Sequence, residues 1–145
     1  WETYKWTTDN GKSMLRYNDK DKKKVLDPED DVASVQLGEG WRMPTAAEWE
    51  ELLDKKNCSW HWKKYDGVDG YNVVSLITGK SIFLPVTGVR DHKSFDPEYD
   101  GYGFYWSSSL SESQFMARYM DFNDSKREMN YEQRSLGMFI RPVFE

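Results

Sequence analysis

A stretch about a third of the way along the chain has the polar and apolar order of a helix with a defined start. Thr45 is followed three residues later by Glu48, the spacing of a capping box, in which each side chain accepts a hydrogen bond from a backbone N–H of the other residue. An apolar stripe at three- and four-residue spacing follows, formed by Trp49, Leu52 and Leu53. We expect this helix to end near residues 55–57, where two lysines suit the negative end of the helix dipole.

A shorter helix is predicted upstream. Asp27 is a good N-cap, and a proline follows it at the first helical position, where its missing N–H costs nothing. This helix is expected to span residues 28–36, with Val32 and Val35 facing inward and Gly38 ending it.

Runs of β-branched and aromatic residues predict an antiparallel sheet downstream. Residues 71–76 and 80–85 flank Thr78-Gly79, which favours a hairpin. Further strands are predicted at residues 104–108, 114–122, 126–131 and 139–143. Residues 87–103 are punctuated by glycine and proline and are expected to form a long loop. The predicted fold is therefore α+β, with two helices packed on a twisted, mainly antiparallel sheet with long loops.

The predicted strand at residues 114–122 has apolar residues in both of its alternating sets. One set consists of Met116, Arg118, Met120 and Phe122, and the other of Phe115, Ala117, Tyr119 and Asp121. Alternation alone leaves open which set faces the core.

Length and charge narrow the range of functions. A chain of 145 residues is long enough for one domain with a sizeable core, so we expect residues 1–145 to form a single domain. The formal charge of −5 argues against a nucleic-acid partner, because binding to phosphates requires a basic stripe. The apolar runs are only a few residues long, so direct membrane insertion is not expected.

Few side chains have the pattern of a catalytic or zinc site. Cys58, the one cysteine, lies three residues before His61, and the second histidine, His92, is distant along the chain. A zinc site needs about four ligands. Burial of Cys58 beside a Trp-rich strand would raise the pKa of its thiol rather than activate it. We therefore interpret these residues as structural and expect no catalytic residues.

Seven blocks, in their order along the chain, carry a family resemblance. They are Val25–Ala33, Gly40–Glu51, Asn57–Trp62, Asp66–Tyr71, Ser81–Pro85, Tyr105–Ser109 and Ile140–Val143. This series resembles the Fibrobacter succinogenes major paralogous domain family, abundant in Bacteroidetes. The resemblance implies a C-type-lectin-like fold and an extracellular or cell-surface location in bacteria. Family members usually carry an upstream aromatic strand segment that does not precede Trp1, so we expect the chain to lack part of the family's N-terminal segment.

The same broad fold includes the formylglycine-generating enzymes, which are the enzymatic alternative. Their chemistry depends on a pair of cysteines that bind copper. Cys58 alone cannot supply that pair, so the resemblance does not carry the activity to this chain. We expect a protein that is not an enzyme.

Calcium is the cofactor that the resemblance raises, because many C-type lectins bind sugars through it. Acidic residues crowd together at residues 27–31 and 96–100, and calcium prefers about six to eight oxygen ligands. We interpret the first group as the charged start of a helix and the second as a solvated loop. The chain also lacks the Glu-Pro-Asn, Gln-Pro-Asp and Trp-Asn-Asp triplets of calcium-dependent sugar recognition. We expect no cofactor, with structural calcium as the open alternative.

The C-terminal third carries the predicted ligand-binding face. Polar residues there alternate with framework residues such as Trp106 and Arg141, which resembles the variable regions of C-type-lectin-fold proteins diversified by retroelements. The candidate contact residues are Arg118, Tyr119, Asp121, Glu128, Asn130, Tyr131, Glu132 and Gln133. Side chains of these types stack on or hydrogen-bond to ligands, so we expect a glycan or a surface protein as the partner.

Two other interpretations stay open for this segment. The same polar residues could be ordinary solvated positions of strands and loops. The alternative function is then a structural module of a larger surface assembly, with no ligand pocket of its own. Such a module is expected to present an apolar patch or an unpaired strand edge.

Overall fold

Antiparallel strands make up most of the regular secondary structure in the computed structural model, which describes residues 4–91, 94–96 and 99–145. The helices are α1 (Val32–Leu37) and α2 (Ala46–Leu53). The strands are β1 (Thr7–Thr8), β2 (Ser13–Met14), β3 (Trp41–Arg42), β4 (Cys58–Tyr65), β5 (Val68–Ser75), β6 (Ser81–Pro85), β7 (Arg90–Asp91), β8 (Ser94–Phe95), β9 (Gly103–Leu110), β10 (Met116–Phe122), β11 (Arg127–Gln133) and β12 (Val143–Phe144).

The strands are distributed over separate small sheets. Two of them have three strands, in the orders β4-β5-β6 and β9-β10-β11, and the remaining strands pair as β1-β2, β3-β12 and β7-β8. Every one of these pairings is antiparallel. The predicted α+β class, with two helices and mainly antiparallel strands, is confirmed at this level.

Helix α2 begins as the sequence predicts. Thr45 Oγ1 accepts from the backbone N–H of Glu48 at 3.3 Å, and Glu48 Oε2 accepts from that of Thr45 at 2.8 Å, so both halves of the capping box are present. The side chain of Trp49 is buried. The helix ends at Leu53 with Asp54 as its C-cap, so the two lysines expected at its last turn lie beyond it.

The prediction for helix α1 was wrong at its start and in its inward face. The N-cap is Asp31, whose Oδ1 accepts from the backbone N–H groups of Ala33 and Ser34. Asp31 Oδ2 also accepts from the N–H of Met43 at 2.8 Å. This long-range contact favours Asp31 over Asp27 as the N-cap. The later start turns Ala33 into the core and leaves Val32 and Val35 exposed.

Both faces of the sheet β9-β10-β11 are packed. The larger buried cluster lies on the face that α2 covers and includes Trp49, Leu84, Tyr105, Met120 and Phe122. The smaller cluster lies on the opposite face and consists of Val89, Phe104 and Tyr119. We call these the helix face and the aromatic face. Each of the two alternating sets of β10 side chains packs into a buried cluster. The pattern of apolar residues therefore could not show which set faces the main core.

Candidate ligand-binding groove

The pairing of β10 with β11 divides the eight predicted contact residues between the two faces. Residues directly opposite each other in an antiparallel pair share a face, and successive residues alternate. The helix face receives Arg118, Tyr131 and Gln133. The aromatic face receives Tyr119, Asp121, Glu128, Asn130 and Glu132. The eight residues therefore do not form one continuous surface, which corrects the prediction of a single C-terminal face.

A groove of about 630 Å³ lies beside the end of the helix face. Its volume falls within the range of about 300–1,000 Å³ that is usual for small-ligand sites. Three of the eight predicted residues line it, together with the β9–β10 loop and residues of neighbouring segments. The lining residues are Lys24, Leu110, Ser111, Glu112, Ser113, Met116, Arg118, Met129, Asn130 and Tyr131.

The groove combines an aromatic ring with polar side chains whose present contacts a ligand could replace. Tyr131 is 61% exposed. Arg118 Nη2 lies 2.9 Å from Glu50 Oε1, but both side chains face solvent, and an exposed pair of this kind contributes little to stability. The Arg118 guanidinium can therefore exchange Glu50 for a ligand oxygen at small cost. Lys24 forms no ion pair with any residue that the structure describes, so its ammonium group is also open to a ligand.

The loop between β9 and β10 holds hydroxyl groups at the rim of the groove. Ser111 Oγ donates to the carbonyl of Ser113 at 3.1 Å and accepts from the Ser113 N–H at the same distance. These bonds hold the loop together with the backbone hydrogen bonds that join Ser111 and Ser113 to Met116. Both serines line the groove, where their oxygens add hydrogen-bonding capacity.

Sequence reasoning missed Lys24, Met116 and Met129 as lining residues of the groove. Lys24 belongs to a basic run that reads as an ordinary solvated loop. What brings it to the groove is a backbone hydrogen bond of 2.8 Å from the N–H of Leu110 to the Lys24 carbonyl. No local signal in the sequence identifies this long-range pairing.

Tyr119 is a core residue rather than a contact residue, so its place in the predicted face was wrong. It is 8% exposed, and its ring lies 6.0 Å from that of Phe104 and 5.8 Å from that of Trp106. Burial, followed by the charge of Asp121, raises the pKa of its phenol. The side chain is therefore a neutral part of the smaller cluster.

Asp121 lies half-buried beside Tyr119, directly opposite Glu128. Its Oδ1 is buried and has no hydrogen-bond partner in the described part of the chain. Burial, and then the charge of Glu128, raise the pKa of the Asp121 carboxyl. Two carboxylates in directly opposite positions repel each other, and the ion pair between Lys126 and Glu128 offsets part of that repulsion.

Three carboxylates could hold a metal ion, although an arginine already lies among them. Oxygens of Asp27, Glu29 and Asp30 lie within 4.8 Å of one another. Arg16 pairs with all three, at 2.5, 3.0 and 2.8 Å respectively. The nearby Asp31 uses its oxygens on backbone N–H groups. A metal would have to displace the guanidinium, so this group is weak evidence for a metal site. The second acidic group lies partly outside the described residues.

Cys58 and His61 point to opposite sides of β4. Cys58 is buried, and burial raises the pKa of its thiol, as predicted. His61 is exposed, and its Nε2 lies 3.1 Å from Ser59 Oγ. The two side chains therefore do not form a nucleophile–base pair. His92 lies outside the described residues.

Comparisons with protein-family models, curated proteins and solved structures returned no match. Among the described residues, neither helix has the length and apolar character needed to cross a bilayer.

Proposed function

We propose that this protein is a non-enzymatic recognition module that binds a glycan or a protein ligand through the groove beside β10 and β11. The observation that carries the proposal is the meeting of Arg118 and the exposed ring of Tyr131 in one groove of about 630 Å³. The predicted contact set is thereby reduced to Arg118 and Tyr131, because Asn130 also lines the groove but has its side chain on the aromatic face.

The groove suits ligands with both apolar and polar surface. The Tyr131 ring can stack on the apolar face of a sugar or on an aromatic side chain. Arg118 and Lys24 can donate to hydroxyl, carbonyl or carboxylate oxygens of the ligand. Met116 and Met129 supply adaptable apolar walls between these groups.

The finer fold and the location belong to the same proposal. We propose a C-type-lectin-like architecture, membership of the Fibrobacter succinogenes major paralogous domain family, and a place at a bacterial cell surface. The ordered series of sequence blocks supports these three points, and the α+β class is compatible with them.

One observation favours the structural module as a second candidate. Leu76 and Ile77 are adjacent at the β5–β6 turn and are 57% and 80% exposed. Apolar side chains in that setting suit burial against another subunit. Under this alternative the turn, rather than the groove, makes the functional contact.

A binding array of glycans and surface proteins, run with calcium and with chelator, tests the proposal. The variants are Arg118→Ala and Tyr131→Ala, and the matched control is Tyr65→Ala, because Tyr65 is also 61% exposed but lies on β4. We expect the first two variants to lose a signal that the control keeps. A signal that survives both groove variants and disappears in Leu76→Ser and Ile77→Ser would instead establish the structural contact.

A further inference from the structure

A second cleft lies beside helix α2. It is formed mainly by residues of α2, of the sheet β4-β5-β6 with its β5–β6 turn, and of the segment at residues 141–143, and we call it the α2 cleft. Its volume is about 610 Å³, within the range of about 300–1,000 Å³ that is usual for small-ligand sites. Among the described residues, none lines both this cleft and the groove beside β10 and β11. The α2 cleft is therefore a separate candidate site.

The walls of the α2 cleft are largely apolar and reachable from solvent. Leu52, Ile82, Pro142 and Val143 line it, and each is half-buried, so part of each side chain is open to a ligand. Cys58 also lines the cleft, and burial raises the pKa of its thiol, which keeps that wall neutral. An apolar ligand group that covers these walls removes apolar surface from water.

One accessible cation and one accessible carboxylate line the same cleft without neutralising each other. Arg141 and Glu51 are both exposed, and neither forms an ion pair with the other or with any further residue that the structure describes. Glu48 lines the cleft as well, but it pairs with Arg42 at 2.7 Å, so its charge is already compensated. The cleft therefore offers one uncompensated charge of each sign to a ligand.

Two half-buried side chains in the cleft can pair with a peptide group. Asn57 Nδ2 donates to the Glu51 carbonyl at 3.1 Å, which holds the amide in place and leaves its Oδ1 to accept from a ligand N–H. Ser75 Oγ accepts from the backbone N–H groups of Ile77 and Thr78, so its hydroxyl proton is left to donate to a ligand carbonyl. One acceptor and one donor match the N–H and C=O of an amide.

We propose that the α2 cleft binds a short zwitterionic peptide with apolar side chains. Its carboxylate accepts from Arg141, its ammonium group donates to Glu51, and its apolar side chains cover the walls. A ligand with a single charge would use only one of the two free charges. The site does not depend on the groove beside β10 and β11 or on the recognition function proposed for it.

The dipeptide leucyl-leucine and its blocked forms are the probes for this site. The blocked forms carry an acetylated N-terminus, an amidated C-terminus or both, and calorimetric titration measures the affinity of each. We expect saturable binding of the free dipeptide and a loss of about two- to fivefold for each blocked end, because ion pairs at exposed positions are individually modest. No binding of the free dipeptide at millimolar concentration, or equal affinity for the free and the doubly blocked forms, would overturn the proposal.

Two charge variants assign the ends of the peptide. Arg141→Gln is expected to remove the effect of C-terminal amidation and to keep that of acetylation, whereas Glu51→Gln is expected to do the reverse. Both positions are exposed, so both variants should fold. The controls Lys55→Gln and Glu39→Gln change exposed charges that do not line the cleft and should keep both effects. Effects that persist in all four variants contradict the assignment.

A further variant tests the location without touching either charge. Val143→Trp adds bulk to a half-buried wall of the cleft and is expected to abolish binding of leucyl-leucine. Unchanged affinity in a folded Val143→Trp protein would place the peptide elsewhere. If this variant does not fold, the two charge variants decide the question.

Discussion

The two faces of the sheet β9-β10-β11 differ in what covers them and in how they hold charge. On the helix face, Met120 and Phe122 are fully buried in the larger cluster, whereas Arg118 lies in solvent with a carboxylate partner. On the aromatic face a smaller cluster around Tyr119 leaves Asp121 half-buried, with one oxygen unpaired in the described residues. The proposed binding groove therefore lies where the packing of the helix face ends.

The largest effect is expected from Phe122→Ala, which opens the helix-face core. Phe122 is 1% exposed, and its ring packs against those of Tyr71 at 5.4 Å and Tyr105 at 6.0 Å. We expect a loss of about 3–5 kcal/mol in the free energy of unfolding, because the variant loses burial and leaves a cavity. Urea denaturation followed by circular dichroism measures it. A loss below about 1 kcal/mol would mean that the helix face does not hold the main core.

A smaller loss is expected from Tyr119→Ala on the aromatic face. The Tyr119 ring belongs to a smaller cluster, so its removal should cost about 2–3 kcal/mol, at the lower end for large-to-small core substitutions. The same urea titration compares the two variants directly. If Tyr119→Ala proves more costly than Phe122→Ala, the ranking of the two cores is reversed.

The third prediction concerns the pH dependence contributed by Asp121. Because the folded protein raises the pKa of this carboxyl, through burial first and Glu128 second, folding favours its protonated form. The protonated Asp121 carboxyl therefore contributes its full stability to the fold below the unfolded pKa of about 3.9. This contribution is lost as pH rises through the higher pKa of the folded protein. We expect Asp121→Asn to be more stable than the unmodified protein at neutral pH.

Thermal denaturation of both proteins across pH 3–8 measures this difference in stability. Its size should be that of a single carboxyl group whose pKa changes on folding. The gain should disappear toward the acidic end. Glu132→Gln serves as the control, because Glu132 lies on the same face but its Oε1 already accepts from the N–H of Gln133. If Asp121→Asn gains the same stability at every pH, packing rather than charge explains the effect of the substitution.

The smallest effect on stability is expected from Arg118→Ala. The Arg118–Glu50 pair is exposed, so its loss should change the free energy of unfolding by less than about 0.5 kcal/mol. The urea titration used for the core variants detects a larger change. A loss comparable to that of Tyr119→Ala would place Arg118 among the structural residues of the sheet rather than at an open rim.

Local signals predicted the parts of the fold that depend on near neighbours. The Thr45–Glu48 spacing is sufficient for the capping box, and the Thr78-Gly79 turn lies between β5 and β6 as expected. The start of α1 depends instead on a hydrogen bond between Asp31 and Met43, twelve residues apart. Several carboxylates precede that helix, and only the folded chain distinguishes among them.

The candidate groove could be predicted only in part for a related reason. Arg118 and Tyr131 are suggested by their polar and aromatic character near the C-terminal end. Their common face depends on the register of β10 with β11, which a shift of one residue would reverse. Lys24 reaches the groove through a backbone contact with Leu110 that crosses most of the chain. The sequence therefore indicates which residue types could bind a ligand. Which of them share a surface depends on strand register and long-range contacts, which the sequence does not show locally.

The central position of β10 has a consequence for amide hydrogen exchange. β10 is hydrogen-bonded to a strand on each side, whereas β11 lies at the edge of its sheet. Amides of β10 should therefore exchange only when the whole protein unfolds, while those of β11 can exchange through local opening. A ligand in the groove would slow exchange first along β11 and the loop at residues 111–113. The exchange rates of β10 would report the stability of the entire molecule.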